Sequence, residues 1–248
     1  MYIKEEILFI IMNSFKGKLY ISDNPFNWPS GDMFAGLENY TEGIRKTGFF
    51  AAFGWSAFIT VGSVLVIVLF ISMTAWYITR VKTRLSNTLY YLFVFSMVVP
   101  FQMVMFTMSK LADMLKLNNP VGMIFLYLGF GAGLSVFMFC GFVKSIPLEI
   151  EEAAMIDGCT PIQTFFQIVM PILKPTAITV AILNAMWVWN DYLLPYLVIG
   201  VSTPYKTIPV AVQYLMGSYG AKDYGSMMAL LVLAIIPIIA FYLFCQKY

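Results

Sequence analysis

Carboxylates crowd into one short stretch of a chain that otherwise avoids charge. Glu149, Glu151, Glu152 and Asp157 fall within "SIPLEIEEAAMIDG", residues 145–158, beside Ala153 and Ala154 and ahead of Gly158. Acids at this density offer several strong acceptors to a basic or donor partner. The chain contains no histidine, which removes the commonest general base and the commonest metal ligand. The three cysteines, Cys140, Cys159 and Cys245, form no CxxC pair and suggest neither a disulfide framework nor a zinc site. They read as small apolar side chains in or near a membrane. "GFGAG", Gly129 to Gly133, lacks the spacing and the strand–turn–helix setting of a dinucleotide loop. No P-loop lysine motif occurs, so ATP binding of that kind is not expected.

The elements that must carry these acids are apolar helices. Of 248 residues, 60% are hydrophobic and 11% charged, where soluble domains carry about 25% charged residues. The net charge of +2 is small and unclustered, which argues against nucleic-acid binding. A membrane-spanning helix needs roughly 20 apolar residues. Charge-free stretches of that kind run over 49–79, 85–109, 117–143, 175–190 (continuing past Asp191 to 205) and 224–246. The expected fold class is all-α: a polytopic membrane protein with five full transmembrane helices. No evenly spaced alternation suggests a β-barrel.

The N-terminal region, 1–46, reads as separate from the transmembrane region 47–248. Its apolar run Ile7–Met12 is too short to span, and fits a surface helix or the stump of a first span. Residues 13–46 form a long polar connection with turn chemistry in "DNPFNWPSGD", where Trp28 suits a membrane interface. Pro100 in "VVPFQ" is expected to kink its helix, and Gly129 with Gly133 to allow close helix approach. Lys and Arg divide too evenly between the two sides to set orientation; the tight cluster "RVKTR", Arg80 to Arg84, weakly favours its own side as cytoplasmic.

Within the loop 144–174 the local signals are dense. Pro147 suits a first helical turn, and the acids after it complement the helix dipole. Gly158 stops that helix as a left-handed cap does. Thr160, Pro161 and Gln163 then read as N-cap, N1 and N3 of a capping box. Pro171 and Pro175 are expected to end this second helix and open the next span. One reading of the loop is an amphipathic connector resting on headgroups. Its acids, small alanines and glycine corner suit docking into a protein groove better.

Asp191 in "WNDYLLP" is the one ionisable residue within a span-length apolar stretch, with Pro195 expected to kink or end its helix. Two readings stand. Asn190 and Asp191 line a pore or gate, or Asp191 is an interfacial residue bonded to nearby backbone among Trp187, Trp189 and Tyr192. Either way one boundary carboxylate makes a poor ion-coupling chain, so the energy for any transport is expected from elsewhere.

Glu152-Ala153-Ala154, Gly158, Ile168 and Pro171 together resemble the motif E-A-A-x-x-x-G-x9-I-x-[LM]-P of ABC importer permeases, with Met170 at the penultimate variable position. With "WNDYLLP", "NSFKG" and "NPFNWP", the chain resembles the carbohydrate-uptake branch over most of its length, most closely the second permease subunit of maltose-type importers. The resemblance implies a type I importer (MetI-like) fold with a first helix of which Ile7–Met12 is the stub. It implies a chain that is not itself an enzyme, in the bacterial cytoplasmic membrane. ATP and Mg would bind a dimeric ATPase partner, and no cofactor or metal this chain. Further implied partners are a second permease, an extracytoplasmic solute-binding protein, a sugar and membrane lipid. Glu152, Ala153, Ala154, Asp157, Gly158 and Pro171 would form the cytoplasmic coupling element that meets the ATPase. Trp187, Asn190, Asp191 and Tyr192 would be pore or sugar contacts. Gln213, Gly217 and Tyr219 would touch the solute-binding protein.

Overall fold

The computed structural model describes residues 2–200, 203–215 and 223–245; Gly217 and Tyr219 lie outside them. Helices dominate, and the one β feature among the described residues is an isolated bridge between Lys16 and Phe34. In chain order the helices are α1 (Tyr2–Ser14), α2 (Lys18–Asp23), α3 (Glu38–Thr47), α4 (Phe49–Arg80) and α5 (Arg84–Ser96). They continue with α6 (Phe101–Met114), α7 (Pro120–Val143), α8 (Leu148–Ile156), α9 (Pro161–Asn190), α10 (Ile208–Gln213) and α11 (Tyr224–Cys245). By length and composition α4, α7, α9 and α11 can each cross a membrane, and α5 with α6 makes a fifth crossing if that bent pair counts as one span.

Three sequence expectations change here. The stretch 85–109 is not one helix: α5 and α6 meet at 107°, and Pro100 is the N-cap of α6. Proline removes a backbone donor and disfavours helix in the residue before it, so a full break replaces the expected kink. Nor do Pro171 and Pro175 end a helix, because α9 runs through both. A π-helical turn over Phe165–Val169 widens the backbone just ahead of Pro171, where its ring would otherwise press on the preceding turn. Finally, the helix expected to pass Asp191 stops at Asn190, and a short turn over Leu193–Pro195 follows.

Two compact units emerge, one from Met1–Ala57 with Asp191–Lys247, the other from Phe58–Asn190. In the second unit α7 is the central element. Its buried Ala132, Val136, Phe139, Cys140 and Val143 meet stripes from α4 (Ile67, Ile71, Ala75, Ile78) and α9 (Phe165, Val169, Leu173, Ala177, Val180). Each stripe repeats every three or four residues, as one helix face requires. Lipid gives no hydrophobic drive for helices to associate, so small residues and polar bonds must hold them. Gly131 and Gly133 supply the close approach. A Cβ on Gly131 would sit 2.6 Å from the Asn184 carboxamide oxygen, and one on Gly133 2.8 Å from the Phe93 carbonyl. Gly129, expected to share this role, faces open space. Asn184 also donates to Ser135 Oγ at 3.2 Å, a buried polar link between α9 and α7.

In the first unit the N-terminal run extends into a full helix, α1, which packs with α3 along α11. Asn39 donates to the carbonyls of Ser14 and Lys16, both at 2.8 Å. The buried Lys16 ammonium caps the carbonyls of Asn24 and Pro25 at 2.9 and 3.0 Å. The polar connection is thus a folded element.

Candidate functional site

The loop between α7 and α9 is a helical hairpin built from its caps. Pro147 is the N-cap of α8, one place before the expected first turn, with its ψ of 132° already outside the helix. Glu149 and Glu151 follow in the first turn, where carboxylates complement unpaired N–H groups. Two bonds close the far end: Gly158 N donates to Met155 O at 3.1 Å and Cys159 N to Ala154 O at 3.0 Å. This is the paired closure of a Schellman cap, and Gly158 takes the positive φ of 90° that the cap demands. Nothing crowds a Cβ there, so backbone conformation, and not space, selects glycine. The capping box then forms as read. Gln163 N donates to Thr160 Oγ1 at 3.3 Å, and Thr160 N to Gln163 Oε1 at 2.8 Å.

α8 has two faces. Glu151 and Ala154, three apart, point inward and are buried; Glu152, Ala153, Asp157 and Gly158 are exposed. Ile156 stands 86% exposed beside them, and Met155 and Ile162 are also exposed. The outward face therefore combines two acids, a bald alanine and unpartnered apolar side chains around the glycine corner. Pro171 lies inside α9, exposed.

The inward face holds a buried ion pair that sequence reasoning missed. Glu151 is 2% exposed. Its Oε1 accepts from Arg80 Nη2 at 2.6 Å and Arg80 Nε at 2.9 Å, and its Oε2 accepts from Trp76 Nε1 at 2.9 Å. Arg80 Nη2 also donates to Ile146 O at 2.9 Å, at the entry to the hairpin. Arg80 closes α4, where a cation complements the helix C-terminus, and Trp76 sits one turn earlier on the same face. The Trp76 ring packs against Phe165 of α9 at 5.5 Å. The end of α4, the whole of α8 and the start of α9 are thereby tied together. The signals available were a Trp and an Arg four apart at the end of an apolar span, and a glutamate doublet. The contact also puts "RVKTR" and the hairpin at the same end of the second unit.

The remaining candidates lie apart from the hairpin. Trp187, 41% exposed, meets Tyr127 edge-on at 5.5 Å, and Asn190 Nδ2 donates back to Met186 O at 2.7 Å. Both belong to the second unit, while Asp191 and Tyr192 belong to the first. Asp191 Oδ1 accepts from Leu193 N at 3.0 Å, the local backbone bond of the interfacial reading, and Tyr192 stacks on Tyr196 at 5.2 Å. Gln213 is exposed at the end of α10. Around it, Lys206 lies 4.0 Å over the Tyr214 ring, Tyr214 OH donates to Gly200 O, and Ile208 N donates to Ser56 Oγ. No group of three His, Cys, Asp or Glu side chains suited to a metal occurs among the described residues.

Apolar spans joined by an acid-faced hairpin that is anchored into their core define a polytopic membrane protein. The chain belongs to the family described as "Binding-protein-dependent transport system inner membrane component", whose model matches residues 67–248. It is 40% identical over 238 residues to the "Probable starch degradation products transport system permease protein AmyC" of Thermoanaerobacterium thermosulfurigenes, covering 96% of this chain and 85% of that one. It is 35% identical over 245 residues to the "Multiple sugar-binding transport system permease protein MsmG" of Streptococcus mutans, covering 98% and 87%. Its fold matches a chain in the crystal structure of a bacterial ABC transporter involved in the import of the acidic polysaccharide alginate. There the TM-score is 0.75 at 21% identity, covering 98% of this chain and 89% of that one. The type I importer permease fold implied by the motif is the fold of this chain.

Proposed function

We propose that this chain is a permease subunit of an ATP-binding-cassette importer that brings a sugar or oligosaccharide into the cell. It pairs with a second permease in the bacterial cytoplasmic membrane and receives solute from an extracytoplasmic binding protein. The hairpin docks, on the cytoplasmic side, into a dimeric ATP-binding subunit that holds ATP and Mg. One observation carries this reading. The motif residues Glu152, Ala153 and Gly158, with Asp157 beside them, are presented outward on a helix whose opposite face, with Glu151 and Ala154, is locked into the membrane helices. Helix-in-groove recognition needs such a shaped, rigidly held face. The names of the two curated relatives support a carbohydrate as cargo.

The test is uptake of labelled mono- and oligosaccharides into proteoliposomes containing both permeases, with binding protein present. Accumulation that depends on the ATP-binding subunit and on ATP is the expected outcome. Equal uptake without that subunit would instead mark an ATP-independent channel or carrier.

A further inference from the structure

We infer that Arg80, Glu151 and Trp76 form a clamp that makes the hairpin and the end of α4 move as one body. Arg80 and Glu151 are then positioning residues for energy coupling, distinct from the outward residues that meet the ATP-binding subunit. The inference rests on the docking reading above and extends it to what happens after docking.

The geometry separates the two roles. On α8 the clamp's polar contacts all fall on Glu151 of the inward face, a further one reaches the Ile146 carbonyl ahead of the helix, and none involves Glu152, Ala153 or Asp157. Arg80 grips the hairpin twice, at the Ile146 carbonyl before α8 and at Glu151 within its first turn. A single bond would act as a swivel; two grips from one rigid guanidinium fix both position and direction. Trp76 adds a third fixed point on the other carboxylate oxygen, while its ring bears on Phe165 in α9. Displacing the hairpin therefore displaces α4 and the start of α9 together.

Stability alone does not account for such a pair. Two charges taken out of water lose solvation that their attraction only partly restores, and apolar side chains of the same volume often serve a fold as well or better. The clamp's particular capacity is a rigid, directional linkage. Both helices it joins carry a π-helical turn within the shared core, at Ile67–Ile71 in α4 and Phe165–Val169 in α9. Such turns replace the tighter α-helical bonding with a wider pattern and are where long helices bend, so movement delivered at the clamp meets a bend-prone segment in each span.

The experiment uses the complete reconstituted transporter and two separate readouts: capture of the ATP-binding subunit, and solute moved per ATP hydrolysed. The isosteric double variant Arg80→Met with Glu151→Leu is expected to capture that subunit normally, yet move at least about fivefold less solute per ATP, the lower bound of ordinary allosteric coupling. An unchanged solute-to-ATP ratio in the assembled variant would overturn the clamp, and so would loss of capture, which would make these docking residues. If the double variant fails to insert, Trp76→Phe decides, since it removes the indole N–H donor while leaving an aromatic ring to face Phe165. A lowered ratio then supports the clamp, and a wild-type ratio overturns it. Ala153→Trp runs in parallel on the outward face and is expected to abolish capture. Normal capture in that variant would overturn the docking reading itself, whatever the clamp variants show.

Discussion

Each unit of the molecule pins a short helix onto a long one, by opposite means. In the second unit α8 is held to α4 by the Arg80–Glu151 pair, its carboxylate buried and its guanidinium half-buried, with an indole donor and a backbone carbonyl completing the bonding. In the first unit α3 is held to α11 by close backbone approach. Gly43 lies where a Cβ would meet Leu230 at 3.1 Å, and a Cβ on Gly225 would overlap the Asn39 carboxamide. The charges there, Lys46 with Asp223 at 2.8 Å and with Glu42, remain partly solvated. Buried charge gives direction but depends on every partner. Close packing gives strength without a handle that another protein could pull.

The largest expected effect comes from breaking the buried pair on one side only. Arg80→Met leaves Glu151 buried and unpaired, at a cost of about 3–5 kcal/mol. Thermal unfolding of the purified protein in detergent should show a markedly lower midpoint, and the double variant Arg80→Met with Glu151→Leu should recover most of it.

Next comes the glycine contact of the first unit. Gly225→Ala forces Asn39 off its two backbone carbonyls, and the loss should be about 1–3 kcal/mol by the same measurement. Gly129→Ala is the control, because its Cβ enters open space and should be neutral or mildly stabilising.

The smallest effect is expected at the solvated pair. Lys46→Met should cost under about 1 kcal/mol and lose even that at high salt. Its pH dependence has a definite sign. Burial pushes Asp223 up, but hydrogen bonds from Lys46 and Ser226 outweigh this and hold its carboxyl below the usual range. The hydrogen bond to Asp223, then that to Glu42, raises Lys46. The Asp223 contribution is present above an ordinary pKa of 3.8 and is lost as pH falls through its lowered value. The Lys46 contribution is present below 10.5 and is lost as pH rises through its raised value. Unfolding midpoints of wild type and Lys46→Met should therefore converge at both pH extremes and differ most between them.

Local chemistry was legible in the sequence wherever it is settled within four residues. The Thr160–Gln163 capping box and the Gly158 corner form as their side chains dictate. The apolar spans were legible from length. Features decided by neighbouring helices were not. Nothing local states that the π turn lets α9 run through Pro171, or that Gly131 and not Gly129 meets another helix. Nor does the doublet Glu151–Glu152 state which acid turns inward. That depends on the rotation of α8, which Arg80 and Trp76 set from a helix some 70 positions earlier. The motif's own glutamate faces out, and its neighbour carries the anchor.

The most direct test of the account is ATP-driven uptake by the reconstituted transporter carrying Gly158→Pro. Proline cannot adopt the positive φ of this corner, so the hairpin must refold locally while the spans keep their packing. The expected result is normal insertion and permease pairing, with ATP hydrolysis uncoupled from uptake. Wild-type ATP-driven uptake in that variant would contradict a coupling role for the hairpin.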